Sequence, residues 1–599
     1  MKKKIASCLL VLLCVCMLQT GCKPKDTTTS SGTNSEQTGE FESIPTESGT
    51  ESENAENPVT SDQQQTASTS GTSSKGSGKP NQTTSTPSAS GKDIWKKYSP
   101  AITLKMVRST DDIIENTLNQ LGETIGSNRW LKLYQDKLGV NIKYDWVAKG
   151  NDGYATKLNL SIASKQLPDV FSVTPLQMQQ LAAAGLIEDL TTVYQDYAST
   201  LTKQTMDEAG TDAFEAATIR GKLMGLPCTT DPSGDAPMLW IRKDWLDNLG
   251  LSVPKTMDEL CNVIKRFTTD DPDKNGKADT FGFATYKGLW GTVSGLEGFF
   301  AGFHSYPRIW QEDASGNLAY GAIQPEAKAA LKKLNELYKS GYMPIDFGVY
   351  DAGVITELIT SGKVGIQYGS HWNSVWPLNL CKEKDSKANW IALPLLSADN
   401  KPAKSTFVMA ASSWFVVKKG YKNPEALVKI FNTFIDTNWG ENNQWNKYYL
   451  DGKVEGVWKL SPIFPSVTDQ NIQDYKQLEQ ARQTNDYSKL GGSAKGIQAM
   501  LDAKDWGWTA VYGSGGSMGV LQGYKEGKQY VKDKFVTAPT PTMVTKLNTL
   551  SQMQNETYVK IIMGSAPLSE FDTFVANWKK AGGDKMTKEV NEWYKSTKR

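Results

Sequence analysis

The sequence predicts an α/β protein built on parallel sheets and preceded by a long segment with no core. Three observations predict it. From residue 102 onward, β-rich runs alternate with helix-patterned runs, as βαβ units require. The alternation resumes after residue 238 and again near 415, without any 20–50-residue repeat. Hydrophobic residues make up only 39% of the 599 residues, yet the chain holds 18 Trp, 23 Tyr and 18 Phe. An aromatic-rich globular part must therefore be joined to a part too polar to bury a core.

The first element is a targeting segment. Lys2, Lys3 and Lys4 precede a nearly unbroken apolar run from Ile5 to Leu18. A membrane-spanning helix needs about 20 apolar residues, whereas this run has the length and flank of a signal-peptide core. It closes on Thr20-Gly21-Cys22, which resembles a bacterial lipobox, with Gln19 where that motif prefers Leu. Residues 1–21 are expected to be removed and Cys22 to carry a diacylglycerol. Residues 22–92 are Ser, Thr, Gly, Gln, Asn, Glu and Pro with Phe41 as the one aromatic. Such a segment cannot offset its ordering entropy by burial. It is expected to be a disordered tether with an end-to-end distance of roughly 45 Å.

The folded part is expected from residue 93. Ile102 to Val107 alternates and reads as the first strand. Arg129 to Lys137 reads as a helix, Val140 to Trp146 as a strand and Tyr154 to Ser164 as a helix. Asp169 to Val173 is a strand and Leu176 to Ala184 a helix. Met238 to Ile241 and Met257 to Phe267 repeat the pair. Pro325 to Ser340 is an amphipathic helix with Pro325 in its first turn and Gly341 just beyond its end. Val364 to Tyr368 and Phe415 to Val417 are strands, and Pro424 to Asp436 is a helix.

Composition excludes several function classes. Lys+Arg 66 against Asp+Glu 65 leaves no basic surplus for nucleic acid. His304 and His371 are the only histidines, so a His-ligated catalytic metal or a Ser-His-Asp triad has almost no material. Beyond Cys22, the cysteines Cys228, Cys261 and Cys381 are scattered and lack CxxC spacing. They read as small buried apolar residues, although one pair could bridge.

Five segments carry a family resemblance. Leu167-Pro168-Asp169-Val170-Phe171, with the helix closing on Leu186 to Leu190, opens the series. Gly221-Lys222-Leu223-Met224-Gly225-Leu226-Pro227 is similar to a GKxYGLP turn. Trp240 to Leu251 resembles YRKDWLDKLGL, and Pro254 to Leu260 resembles PKTWDEL. Ser413 to Lys419 resembles a strand after the return to the first lobe. In this order they resemble an extracellular solute-binding protein of the carbohydrate ABC importer class, over residues 95 to 599, and its long LipO-like lipoprotein members. The resemblance implies a two-lobed periplasmic-binding-protein-like fold with hinge and central cleft. Lobe 1 is expected at 93–230 and 406–470, lobe 2 at 231–405 and 471–599. Crossings are expected near 229–233, 400–407 and 470. A sugar or oligosaccharide would close the lobes and be passed to ABC permease subunits. The expected state is a monomer, lipid-anchored on the outer face of the cell membrane.

Candidate ligand residues follow from sugar chemistry, in which aromatic planes take CH faces and polar groups take hydroxyls. Trp372 follows the strand Val364 to Tyr368, at a C-terminal strand end where ligands bind in open α/β sheets. The resemblance also implies a sugar-stacking Trp there. Trp376, four residues on, reads as packing. Trp506 and Trp508 lie in a loop-like segment, one of them facing the cleft, and Trp414 starts a strand. Asp231 could bond hydroxyls or cap a turn; Arg242 could bond hydroxyls or pair with Asp244. Gly513 to Gly519 lacks the lysine of a phosphate loop and reads as a flexible cleft rim.

Asp271, Asp273, Asn275, Lys277 and Asp279 stand at positions 1, 3, 5, 7 and 9 of a calcium-loop pattern, with Gly276 at position 6. Lys277 would offer its carbonyl, while Gly282 replaces the twelfth-position Glu. A structural Ca2+ is expected; a plain Asx-rich turn is the alternative. For the chain as a whole, a surface hydrolase with paired carboxylates and a sensing subunit for a membrane kinase are the competing readings.

Overall fold

The computed structural model describes residues 92–598, apart from Lys453. The signal segment, Cys22 and nearly all of the tether lie outside the described residues. Two sheets organise the rest. The first has five strands, in the spatial order Val140–Lys149, Ile102–Thr110, Val170–Val173, Ala411–Val417 and Leu226–Thr229. Its first three strands run parallel, while Ala411–Val417 runs antiparallel to both of its neighbours. The second sheet has the order Trp390–Leu393, Met238–Arg242, Val364–Gly369 and Phe281–Phe283. Each sheet has its own apolar core, one centred on Leu104, Trp130 and Phe431 and the other on Trp240, Phe267 and Tyr558.

The expected elements form where the pattern placed them, for identifiable local reasons. Asn128 caps the helix Arg129–Leu138 by accepting from the N–H groups of Trp130 and Leu131, and Gly139 ends it in the left-handed conformation. Thr174 and Gln177 form a capping box at Pro175–Ala183. Pro325 opens Pro325–Lys339, whose Ala327, Ala330, Leu331, Leu334 and Leu337 are buried at helical spacing. Val364–Gly369 is buried at every residue, as a central strand covered on both faces must be.

Three segments cross between the sheets side by side. Thr230 N–H donates to the Ala410 carbonyl and Val408 N–H to the Pro232 carbonyl. Ser466 N–H donates to the Thr229 carbonyl, and the Thr229 hydroxyl donates to the Ser466 carbonyl. The second crossing lies later than the boundary expected at 405/406. Ser405–Phe407 still pairs with Tyr530–Lys532, and the Phe407 ring stacks on Tyr530 at 4.5 Å in the second core. Trp445 and Leu450, inside the span expected for the first lobe, also pack into the second core. After residue 470 the chain is almost entirely helical, from Gln470–Thr484 to Asp584–Thr597. Cys228, Cys261 and Cys381 are all free.

Candidate ligand-binding cleft

Two of the three crossings, after Thr229 and after Phe407, begin and end at strand termini. Thr110, Val173 and Thr229 end parallel strands of the first sheet; Phe283 and Gly369 end parallel strands of the second. Three cavities lie along the gap between the two sheets. One of about 300 Å³ sits beside the hinge on the second lobe, lined by Asp235, Glu297, Arg308, Gly369 and Val408 among others. One of about 440 Å³ has Pro175 of the first lobe opposite Trp290, Trp310, Tyr320 and Asn555, and shares Arg308. The third, of about 90 Å³, lies between the lobes among Asp231, Trp439, Tyr449, Asp474, Trp508 and Tyr512.

Trp372 stands on the turn His371–Ser374, directly after the strand Val364–Gly369. Its ring stacks on Trp376 with centroids 6.3 Å apart and an interplanar angle of 21°. Trp376 is 41% exposed, so the expectation that it packs inward is corrected: the two indoles make one aromatic face. Burial and the nearby charge of Asp231 raise the pKa of the Asp235 carboxyl, while the neighbouring Trp372 indole opposes the rise. Ser370 Oγ, His371 Nδ1 and Asn373 Nδ2 are buried on the same turn without a hydrogen-bond partner. The turn is tight enough to demand Gly369, since a Cβ there would lie 1.7 Å from Asn373 Oδ1. Burial lowers the His371 imidazole below its ordinary pKa.

Asp231 caps a turn, one of the two roles expected of it. Its Oδ1 caps the turn by accepting from Ser233 N–H at 2.9 Å and Ser233 Oγ at 2.6 Å. Its Oδ2 is buried, has no partner, and belongs to a residue lining the interlobe cavity. Trp506 and Trp508 are not in a loop. They open the two-turn helix Trp506–Tyr512, capped by the Asp505 side chain on Trp508 N–H, a short signal hidden by Gly507. This helix packs against the Trp372 turn, where Ser374 Oγ donates to the Gly507 carbonyl at 2.9 Å. Trp508 lines the interlobe cavity, donates from its indole to Glu455 Oε1 at 2.7 Å and stacks on Tyr512. Burial raises the pKa of Glu455, and the Trp508 bond opposes it. Trp506 lines none of these three cavities. In the glycine-rich segment 513–519, Ser514 and Gly515 are exposed, while Ser517 and Met518 are fully buried and Ser517 Oγ donates to the His371 carbonyl.

Two expected ligand residues are placed elsewhere. Trp414 is 3% exposed in the first core and donates its indole N–H to the Ala213 carbonyl at 2.9 Å. Arg242 is 1% exposed at the far end of Met238–Arg242. Its guanidinium bonds Asp244 at 2.6 and 2.8 Å and Asp385 at 3.0 Å, over the Trp245 ring. Neither side chain reaches the gap. Glu297, Arg308 and Trp290 line it instead. All three lie in the long connection after Phe281–Phe283, too far from the strand end for the rule that singled out Trp372 to have named them.

The loop Asp271–Asp279 folds as a set of Asx turns. Asp271 accepts from Asn275 N–H and Gly276 N–H, and Asn275 Oδ1 accepts from Lys277 N–H. Asn275 Nδ2 bridges Asp273 at 2.7 Å and Asp279 at 3.1 Å, with Gly276 at φ 77°. These hard oxygen donors suit calcium chemically. Burial together with Asp271 and Asp279 raises the pKa of Asp273, the signature of crowded carboxylates. Lys363 pairs with Asp279 and lowers its pKa, a counter-charge the sequence pattern does not contain. Among the described residues, no group of three or more His, Cys, Asp and Glu is already set to hold a metal ion.

Comparison with known proteins agrees with this architecture. The chain is 26% identical over 459 residues to the polygalacturonan/rhamnogalacturonan-binding protein YtcQ of Bacillus subtilis, covering 74% of this chain and 83% of that protein. It is 24% identical to the lipoprotein LipO of Bacillus subtilis, covering 78% and 89%. An ABC-transporter-associated solute-binding protein from Bifidobacterium longum infantis, described as HMO binding, superposes with a TM-score of 0.58 at 19% identity, covering 82% of this chain and 98% of that one. The two lobes, the three crossings and a family match over residues 117–437 lead to one conclusion: the chain belongs to the bacterial extracellular solute-binding proteins.

Proposed function

We propose that this protein is a non-catalytic receptor that binds a sugar or oligosaccharide in its interlobe cleft and delivers it to an ABC permease. The observation that carries the reading is the paired Trp372–Trp376 face beside Asp235, at a strand end between two lobes. An apolar plane with acceptors at its rim matches a pyranose or furanose ring. The sugar-binding names of the relatives support it. A solute touching both lobes stabilises the closed arrangement, which a permease can then distinguish from the open one. Signal cleavage, lipidation of Cys22, a tether over 22–92, a monomeric state and placement outside the cell membrane complete the proposal. The lipoprotein LipO among the relatives supports the anchor. Asp231 and Trp508 are assigned to the inner cleft wall, with Trp506 beside them.

The test is titration of the purified protein with an oligosaccharide panel, followed by the Trp372→Ala variant. Loss of the stacking face should weaken binding by about 1–3 kcal/mol, with an unchanged unfolding midpoint. Full affinity in the folded variant would remove Trp372 from the site.

Asp271, Asp273, Asn275 and Asp279 side chains, with the Lys277 carbonyl, would hold a structural Ca2+ after rotation of the Asn275 amide. The ion would neutralise the crowded carboxylates. At about 100-fold saturation it would add about 2.7 kcal/mol to stability. Chelator should therefore lower the melting temperature and calcium restore it, with magnesium less effective. A melt indifferent to both, with no metal found by elemental analysis, leaves an Asx-turn loop.

A further inference from the structure

We infer that the cleft takes neutral glycans and excludes those carrying uronate carboxylates. This rests on the sugar-receptor reading above and narrows its ligand class. The cleft cavities are lined by the carboxyl side chains of Asp231, Asp235 and Glu297, by Asp474 and Asp533, whose burial raises their pKa to about 7 so that they add little charge, and by a single cationic side chain, Arg308. That cation is already partly neutralised, with one guanidinium N–H 3.1 Å from Glu297 Oε1. Three further cationic side chains near the gap are engaged as well. Arg108 donates to the Lys459 and Leu460 carbonyls at 2.7 and 3.1 Å, Lys459 pairs with Asp111, and Lys525 pairs with Asp469.

A uronate is recognised by a guanidinium fork or an ammonium that stays free to meet it. The cavities offer the opposite: acceptors in excess. Asp231 Oδ2 is buried without a donor, and sugar hydroxyls are donors. A hydroxyl-bearing ring on the Trp372–Trp376 face would meet the neighbouring Asp235 and Asp231, whereas a uronate would add a like charge beside them. At an effective dielectric constant of about 20, one such contact at about 5 Å suffices to weaken binding by about 100-fold. The relative named for polygalacturonan binding is only 26% identical, a distance at which ligand charge can differ.

The experiment is calorimetric titration of the full chain with neutral galacto-, xylo-, arabino- and fructo-oligosaccharides, and with oligogalacturonates of matched length. The expected result is binding of a neutral sugar, insensitive to salt, with oligogalacturonate at least about 100-fold weaker. Asp235→Asn should narrow that gap by about tenfold, since it removes one of the repelling charges. Oligogalacturonate binding as tight as the neutral ligand would overturn the charge selection and leave the sugar receptor standing. Absence of binding by every sugar in both sets would overturn the receptor reading and this inference with it.

Discussion

Replacing Arg242 by Ala should destabilise the protein by about 3–5 kcal/mol and leave solute affinity unchanged. The side chain is 2% exposed, while its partners Asp244 and Asp385 are 18% and 44% exposed. Its stem and guanidinium also fill the space against Trp245 and Trp390, at 4.8 and 5.9 Å from the ring centroids. Truncation removes that packing and leaves two carboxylates facing each other without a cation. Arg242→Met should lose less than Ala, because it keeps the stem and loses only the charge. The checks are the denaturant midpoint and a titration with the solute under conditions where the variant is folded. Arg242 lies roughly 13 Å from the hinge end of its strand, at about 3.3 Å per residue. An affinity loss larger than the stability change explains would return Arg242 to the binding site.

Asp474 should make stability fall as pH rises. The carboxyl is 1% exposed and accepts from Ser493 Oγ at 2.7 Å and Gln470 Nε2 at 2.9 Å. Burial raises its pKa to about 7 against those two bonds. The folded state therefore holds a proton that the unfolded chain releases near pH 4. Its contribution is complete below about pH 4 and is lost as pH rises through about 7. The difference of about three pKa units corresponds to about 4 kcal/mol as an upper figure. Asp474→Asn keeps an acceptor and a similar shape but cannot ionise. The variant should equal the parent at low pH and exceed it above pH 7, measured as unfolding midpoint against pH. Parallel curves for the two proteins would show that Asp474 stays ionised in the fold. Tyr449 and Tyr512 feel this carboxylate as well, so the same substitution tests the wall of the interlobe cavity.

Much of the fold was legible because its signals are local. The strands at 102, 140, 170, 238 and 364 and the helices at 129, 257, 325 and 425 begin within a few residues of the patterned runs. Each is set by burial periodicity and a nearby cap or glycine, which lie within a few residues of one another in the chain. The five ordered motifs carried the family, and the strand pattern put Trp372 on the turn directly after Val364–Gly369. The short helix at Trp506–Tyr512 was not legible. Its cap, Asp505, is one residue, and the helix is held by packing on the turn at 371–374.

The sequence alone determined the family, the alternation that builds two sheets, the anchor signature at Cys22 and the type of residue a sugar cleft needs. Only the tertiary structure decided which of those residues face the gap. It withdrew Trp414 and Arg242 into the cores, exposed Trp376 beside Trp372, and brought Glu297, Arg308 and Trp290 to the cleft. It also placed Lys363 on Asp279 and Arg308 on Glu297. The physical reason is that burial and charge pairing belong to surfaces assembled from distant segments. Whether a tryptophan is wall or filling, and whether an arginine is free or already neutralised, depends on partners tens to hundreds of residues away.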